Sequence, residues 1–444
     1  MRTAWLVPLV VLAALAVPCG AAAQAAPAGF ISFDFFLASV ATADAARYVL
    51  HPGTKVVSRD AFEDMRRHVL SLYDGVHVAH SFVYNEQYID CVPILEQPSA
   101  RALGLKEIPQ PPPPTRLARL PAAPPTPSPF ELGLSDTFGN VIACQAGTIP
   151  MRRITLDELS RFATLKDYLR KAPGASPPPP AVDYAGFKHR TLGTAPNNLG
   201  AGSQFEVWYP FVDTNQGEYH SLSQLWVLGY GNNTVQSAEA GWQVAPSHYN
   251  TNAAVAFIFW TPDGYTSGCY NLECIGFVQV NNNVVLGAPN WSGPSQPGGQ
   301  QVVFDAEWEA VRSVQDGTIQ AWWFYYNCQT NYYHCAVGYL PVSVYGGGQL
   351  SQYSNSLQFG GETYSYNHTN NGAMGSGALP SAGPSNAAYQ TWVFYVDLTR
   401  RARDANLAYL NFPQTDACYG ELCTIQVCDS FYFGGPGGLN CPGQ

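Results

Sequence analysis

From residue 184 onward the chain is written in short apolar runs with no long helical pattern. "FEVWYPFV", "SLSQLWVLGYG", "AAVAFIFWT", "TIQAWWFYYN", "GYLPVSVY" and "QTWVFYVDLT" are rich in Val, Ile, Thr and aromatic residues, with Gly and Asn clusters between them. Branched and ring side chains suit a pleated surface, and turn-forming residues close each run after a few positions. Many short strands of this kind predict an all-β domain, an antiparallel sandwich or barrel.

The region ahead of it is different. Arg2, an apolar run over 4–17 and the small-residue stretch "GAAAQA" predict a signal peptide over 1–23, cut after Ala23. The run is too short to span a bilayer, so the mature protein is expected to be secreted, with no membrane contact. Without Cys19, ten of the 11 cysteines remain, an even number that in an exported chain predicts disulfides. The metal alternative lacks the CxxC or HExxH spacing of a zinc site, so no metal and no cofactor are expected.

Residues 24–183 read as a small α+β segment cut by two proline-rich linkers, "IPQPPPPTRLARLPAAPPTPSPF" and "APGASPPPPAVDYAGF". Ser58 opens a helical pattern that Gly75 closes, and "HVAHSFVYNEQYIDCVPIL" reads as a strand pair. Thr155 and Glu158 form a capping-box pattern for a helix reaching Leu169. Two such linkers point to a removable leader, or to a permanent domain on a stiff stalk.

Charge narrows the function. Residues 1–190 carry 18 Lys+Arg and 16 Asp+Glu, whereas 191–444 carry 4 and 16. An acidic surface of that kind repels nucleic acid and suits an acidic medium, where carboxylates take up protons. No G-x-S-x-G elbow or phosphate-cradling loop is present, and His220, His248 and His368 stand in polar, loop-like contexts. Paired carboxylates are left. Glu239 in "SAEAGWQVAPSHY" and Glu362 in "FGGETYS" each put a charge into a strand-like run of a chain that is only 12% charged. Two carboxyl groups held together separate into a protonated acid and an ionised base, which serves peptide or glycoside hydrolysis equally. Asp263, Glu273, Glu307 and Glu309 are the other acidic candidates in strand-like context.

The order of motifs is more specific. "HSLSQLWVLGYG", "SAEAGWQVAPSHYN", "FWTPDGYTSGCYNLECIGFVQVNN", "FGGETYS", "AMGSGALP" and "FYFGGPGG" together resemble the neprosin family of glutamic prolyl endopeptidases. The upstream "IDCVPI" and "CQAGTIPMRR" resemble that family's activation peptide. The resemblance implies an antiparallel β-sandwich catalytic domain over 184–444 and a zymogen whose pro-region, 24–183, is its intramolecular inhibitor. It also implies activity in acid on proline-containing peptides or proteins, catalytic Glu239 and Glu362, and a Cys269–Cys274 pair. Trp242, Trp260, Tyr265 and Tyr364 lie near these motifs as rings for a substrate proline, Trp242 foremost. The segment before Glu362 departs from the family pattern by adding Cys328 and Cys335, expected to clip a lengthened hairpin. A non-catalytic sugar-binding sandwich and a two-carboxylate glycosidase are the competing readings. Acidification is expected to loosen leader contacts made through Arg152, Arg153, Lys188 and Arg190.

Overall fold

The computed structural model describes residues 29–115, 128–173, 186–327, 335–368, 370–410, 416–424, 428–439 and 441. The signal segment, Cys328 and the second proline-rich stretch around Pro180 lie outside the described residues.

In the leader, the helix Arg59–Tyr73 starts where the Ser58 side chain accepts from the Ala61 amide, and it buries Phe62, Met65, Val69 and Leu72 at helical spacing. His80–Tyr84 and Gln87–Pro93 pair antiparallel, and Thr148–Arg152 adds a third strand. Asn85 and Glu86, both with positive φ, make the two-residue turn between the first two. A Cys91–Cys144 disulfide crosslinks this segment. The helix expected through Leu169 is instead two short pieces, Leu156–Leu159 and Leu165–Leu169. Thr164 starts the second by accepting from the Asp167 amide. Glu158 does not complete a capping box, because its carboxylate receives Arg152 at 2.6 and 2.7 Å.

Downstream, the chain forms an antiparallel β-sandwich. A front sheet of seven strands runs, in order, Ala408–Tyr409, Phe187–Thr194, Ser356–Ser365, Glu218–Gly231, Thr234–Val244, Val255–Thr261 and Cys269–Tyr270. A back sheet of nine strands is centred on Val303–Arg312, Asn198–Glu206 and Ala388–Asp397. Their facing side chains meet in one core: Leu225, Val227, Ala240 and Trp242 from the front, Phe205, Phe304, Trp308 and Phe324 from the back. The leader's helix residues Phe62 and Val69 belong to this same core, so leader and sandwich pack as one body. Disulfides Cys269–Cys274, Cys418–Cys441 and Cys423–Cys428 staple turns and the C-terminal stretch. Such crosslinks belong to oxidising compartments. No helix among the described residues is long and apolar enough to cross a membrane.

Candidate active site

Strand register alone puts Glu239 and Glu362 on one face. Both flank the strand Glu218–Gly231: Glu362 sits opposite Leu222, and Glu239 sits opposite Trp226. Residues 222, 224 and 226 share a face because strand side chains alternate, so both glutamates and Gln224 point the same way, out of the sandwich core. Gln224 is flanked in its cross-strand row by Gly360 and Gly241. Neither glycine can carry a side chain, since an added Cβ would meet Arg190 or Ser223 backbone oxygen at 2.1 or 2.0 Å. With a glycine on either side, Gln224 is therefore the side chain on the floor between the glutamates.

Each carboxylate is surrounded by donors. Glu239 receives Ser237 Oγ at 2.7 Å and Tyr265 hydroxyl at 2.8 Å on Oε1, and Gln224 Nε2 at 2.7 Å on Oε2. Glu362 is bonded to His220 Nε2 at 3.0 Å on Oε1 and to His189 Nε2 at 2.9 Å on Oε2. Bridging the two is Lys171 of the leader, 2.7 Å from Glu239 Oε2 and 3.4 Å from Glu362 Oε2. Those two contacts hold the carboxylate oxygens within about 6.1 Å of each other. Lys171 and both glutamates are 1% exposed or less, and the ammonium also lies 5.0 Å over the Trp226 ring.

The electrostatics follow from this packing. Burial by itself raises the Glu362 pKa, but the Lys171 charge and the His189 and His220 hydrogen bonds outweigh it and hold the carboxyl well below its ordinary range. Burial lowers the His220 pKa, so it donates as a neutral ring. Burial and the Glu239 charge push the Tyr265 hydroxyl up, which keeps it a donor.

The leader reaches the site just after the helix Leu165–Leu169, in a bend and turn over 170–173. Beyond Lys171, the Pro173 carbonyl accepts from Tyr364 at 3.4 Å, and Tyr270 donates to the Lys171 carbonyl at 3.4 Å. A cavity of about 670 Å³, lined by Tyr230, Asn232, Asn233, Asp263 and Tyr265 among others, opens beside Glu239. A second buried contact ties leader to sandwich: Arg152 bonds Glu158 and Glu273, and Glu273 also takes His248 Nε2 at 2.8 Å. Burial raises the Glu273 pKa, but His248 and Arg152 bring it down to about 2.

The sequence-predicted residues divide accordingly. Glu239 and Glu362 come together, and Tyr265 and Tyr364 line the same face. Trp242 does not: three positions from Glu239 along a strand, it points into the sandwich core, fully buried, and donates to the Glu206 carbonyl at 2.8 Å. The Trp242→Ala variant is therefore expected to lose about 3–5 kcal/mol of stability in chemical denaturation. Of the four predicted leader cations, Arg152 reaches across to the sandwich. Arg153 pairs with Asp90 inside the leader, and Lys188 and Arg190 sit on a front-sheet strand, where Arg190 pairs with Asp416. His220 and His248 lie buried rather than in loop-like settings. Sequence reasoning missed Lys171, His189 and Gln224. Lys171, in the last folded turn before a proline-rich linker, was the one visible signal.

The neprosin family profile matches residues 217–436. These residues form a neprosin-family domain. The neprosin family is a glutamic-type peptidase family. Both glutamates of the site fall inside the matched span, while two strands of the neprosin sandwich, Phe187–Thr194 and Asn198–Glu206, precede it. Among solved structures, scytalido-glutamic peptidase with a peptide-based transition-state analogue is similar at 7% identity, over 57% of this chain and 98% of that one, with a TM-score of 0.27. The same peptidase with a transition-state analogue inhibitor matches at 9% identity, over 55% and 95%, again at 0.27.

Proposed function

We propose that this chain is a secreted glutamic endopeptidase, held latent by its leader (24–183), that cleaves peptide bonds beside proline in acid with Glu239 and Glu362. The observation that carries the reading is the leader ammonium of Lys171 seated on both carboxylates. With that cation in place Glu362 stays ionised. Without it, two carboxylates this close share one proton, and an acid and a base coexist.

Glu362 is then the base, because His189 and His220 continue to donate to its charged form. It takes a proton from a water as the water oxygen attacks the scissile carbonyl. Glu239, carrying the shared proton, donates to the carbonyl oxygen, assisted by the Tyr265 hydroxyl and Gln224 amide. The C–N bond breaks as the proton on Glu362 passes to the leaving amine, and one hydroxyl of the intermediate returns its proton to Glu239 as the product carboxyl forms. No metal or cofactor takes part in this scheme. The leader's Lys171 and Pro173 occupy the path of a substrate, and the cavity beside Tyr265 is the part of the cleft left open.

Acid acts on the Lys171 contact. The Glu362 pKa is depressed in the latent chain, so the contact's stability is complete above the pKa the group has once Lys171 is gone. It is lost as pH falls toward the depressed value. Sharing a proton with Glu239 raises that free-state pKa, so the loss begins in mild acid. Glu273, brought from 4.5 down to about 2, keeps its Arg152 contact in mild acid and loses it only as pH falls from 4.5 toward that value.

The test is a proline-containing reporter peptide beside a polysaccharide panel, incubated with acid-treated protein. The expected result is peptide cleavage next to proline with the sugars untouched; sugar cleavage or binding with intact peptide would overturn the reading. A charge-assisted hydrogen bond is worth about 1.5–3 kcal/mol, or about one to two pKa units. His220→Phe is therefore expected to raise the Glu362 pKa and move the acidic limb of the pH–rate profile up by about that amount. An unmoved limb would remove His220 from the site.

A further inference from the structure

The outer face of the back sheet carries aromatic side chains that the sandwich core does not explain. Alternation turns Trp323 and Tyr325 of Ile319–Tyr326, and Tyr339 of Ala336–Pro341, away from the core. They are nonetheless 4%, 1% and 7% exposed. The register lines Glu309 up with Trp323 and Tyr339 in one row across three strands, and the Trp323 and Tyr339 rings pack at 4.8 Å.

The start of the leader's first proline-rich linker, 108–115, lies on this face. Leu105 packs against the aromatic cluster. Tyr325 donates its hydroxyl to the Pro112 carbonyl at 2.9 Å. The Thr115 amide and hydroxyl donate to the Glu309 carboxylate at 2.6 and 2.8 Å, and Arg400 holds that carboxylate from the other side at 3.0 Å. Along 109–115, "PQPPPPT", Gln110 and Pro113 are exposed and the other five are half-buried. That period of three is the repeat of a polyproline II helix resting on a surface. Such a helix makes no internal hydrogen bonds, so its carbonyls are free for donors like Tyr325, and it is ordered before it binds.

We propose that this face is a docking groove for polyproline II segments, filled in the latent chain by residues 109–115. Resting on the peptidase reading above, it then serves the processed enzyme as an exosite that holds proline-rich stretches of a protein substrate while the front sheet cuts. The leader thus covers both working faces of the sandwich, with Lys171 on one and the proline run on the other.

The groove is tested in the full chain at neutral pH, where no turnover intervenes. In one variant the four prolines 111–114 are replaced by Gly and Ser, which empties the groove and leaves the sandwich untouched. A fluorescent peptide "IPQPPPPT" is titrated by anisotropy against this variant and the unaltered chain. Saturable binding is expected to the variant, at least tenfold tighter than to the unaltered chain, whose own segment competes. The control "IAQAAAAT" is expected to bind at least tenfold more weakly. Adding Tyr325→Phe, which keeps the ring, is expected to weaken binding at least threefold, with Glu309→Gln as a second probe. Absence of saturable binding, equal binding to the unaltered chain, or equal binding of the alanine peptide would each overturn the groove. For the exosite role, acid-processed Tyr325→Phe enzyme should show a KM raised at least threefold for a long proline-rich peptide and unchanged for a short reporter. Equal effects on both overturn that role. Cleavage of neither, by any variant, overturns the peptidase reading, while the binding measurement still decides the groove.

Discussion

Lys171→Met is expected to shift the pH of half-activation up by one unit or more and to speed loss of the leader. Methionine keeps the apolar stem of lysine and removes the single positive charge that Glu239 and Glu362 share. Taking away one partner of a buried ion pair costs about 3–5 kcal/mol, which corresponds to about 10²- to 4 × 10³-fold in the leader's hold on the cleft. The two carboxylates recover part of this by sharing a proton, which is the state proposed for the processed chain. The variant should therefore look activated at a pH where the wild type stays latent. Lys171→Arg keeps the charge and is expected to keep most of the latency. The check is the pH of half-activation, read as reporter cleavage and as leader loss by mass. An unchanged midpoint for Lys171→Met would mean that the leader is held elsewhere, with the Arg152–Glu158–Glu273 cluster the next place to look.

The second large effect is an asymmetric pair of activity losses. Glutamine cannot take a proton from water, so Glu362→Gln removes the base outright. Glutamine at 239 still offers an amide N–H to the carbonyl oxygen, so Glu239→Gln removes the proton but not the polarising contact. General acid–base groups contribute about 10²–10⁴-fold. Glu362→Gln is expected near the upper end and Glu239→Gln near the lower. Neither variant is expected to trim its own leader, so both are processed by a second protease at a site inserted in 174–185 before kcat is measured. Equal losses would reverse or dissolve the role assignment, and near-wild-type activity in either would end the dyad.

The fold was legible because it rests on local signals. Ser58 announced its helix, and the Val- and aromatic-rich runs announced their strands. The Thr155–Glu158 pattern misled because a capping box and a buried ion pair use the same carboxylate, and Arg152 won it. Trp242 was legible in principle: three positions from Glu239 on a strand means opposite faces, and nearness in sequence obscured it. The pairing of Glu239 with Glu362 was reached through motif order, since the register that joins two strands across a third is not written in either strand. Lys171, His189 and His220 reach the dyad from 68, 173 and 142 residues away. Contacts at such separations leave no periodic trace in one sequence. The charge imbalance came closest, since a domain (184–444) with 16 acids and 6 bases needs cations from elsewhere for its buried carboxylates.

The central claim is that removing Lys171 converts two carboxylates bridged by one ammonium into an acid–base pair. Carboxyl-carbon NMR of glutamate-labelled protein, titrated before and after leader removal, with Glu239→Gln and Glu362→Gln used for assignment, measures this directly. In the full chain the Glu362 signal should stay that of an ionised carboxylate well below the ordinary range. In the processed domain one of the two carboxyls should titrate at least about two units higher, as expected for two carboxylates sharing a site. If leader removal leaves both titrations where they were, the lysine does not hold the pair apart and the account fails.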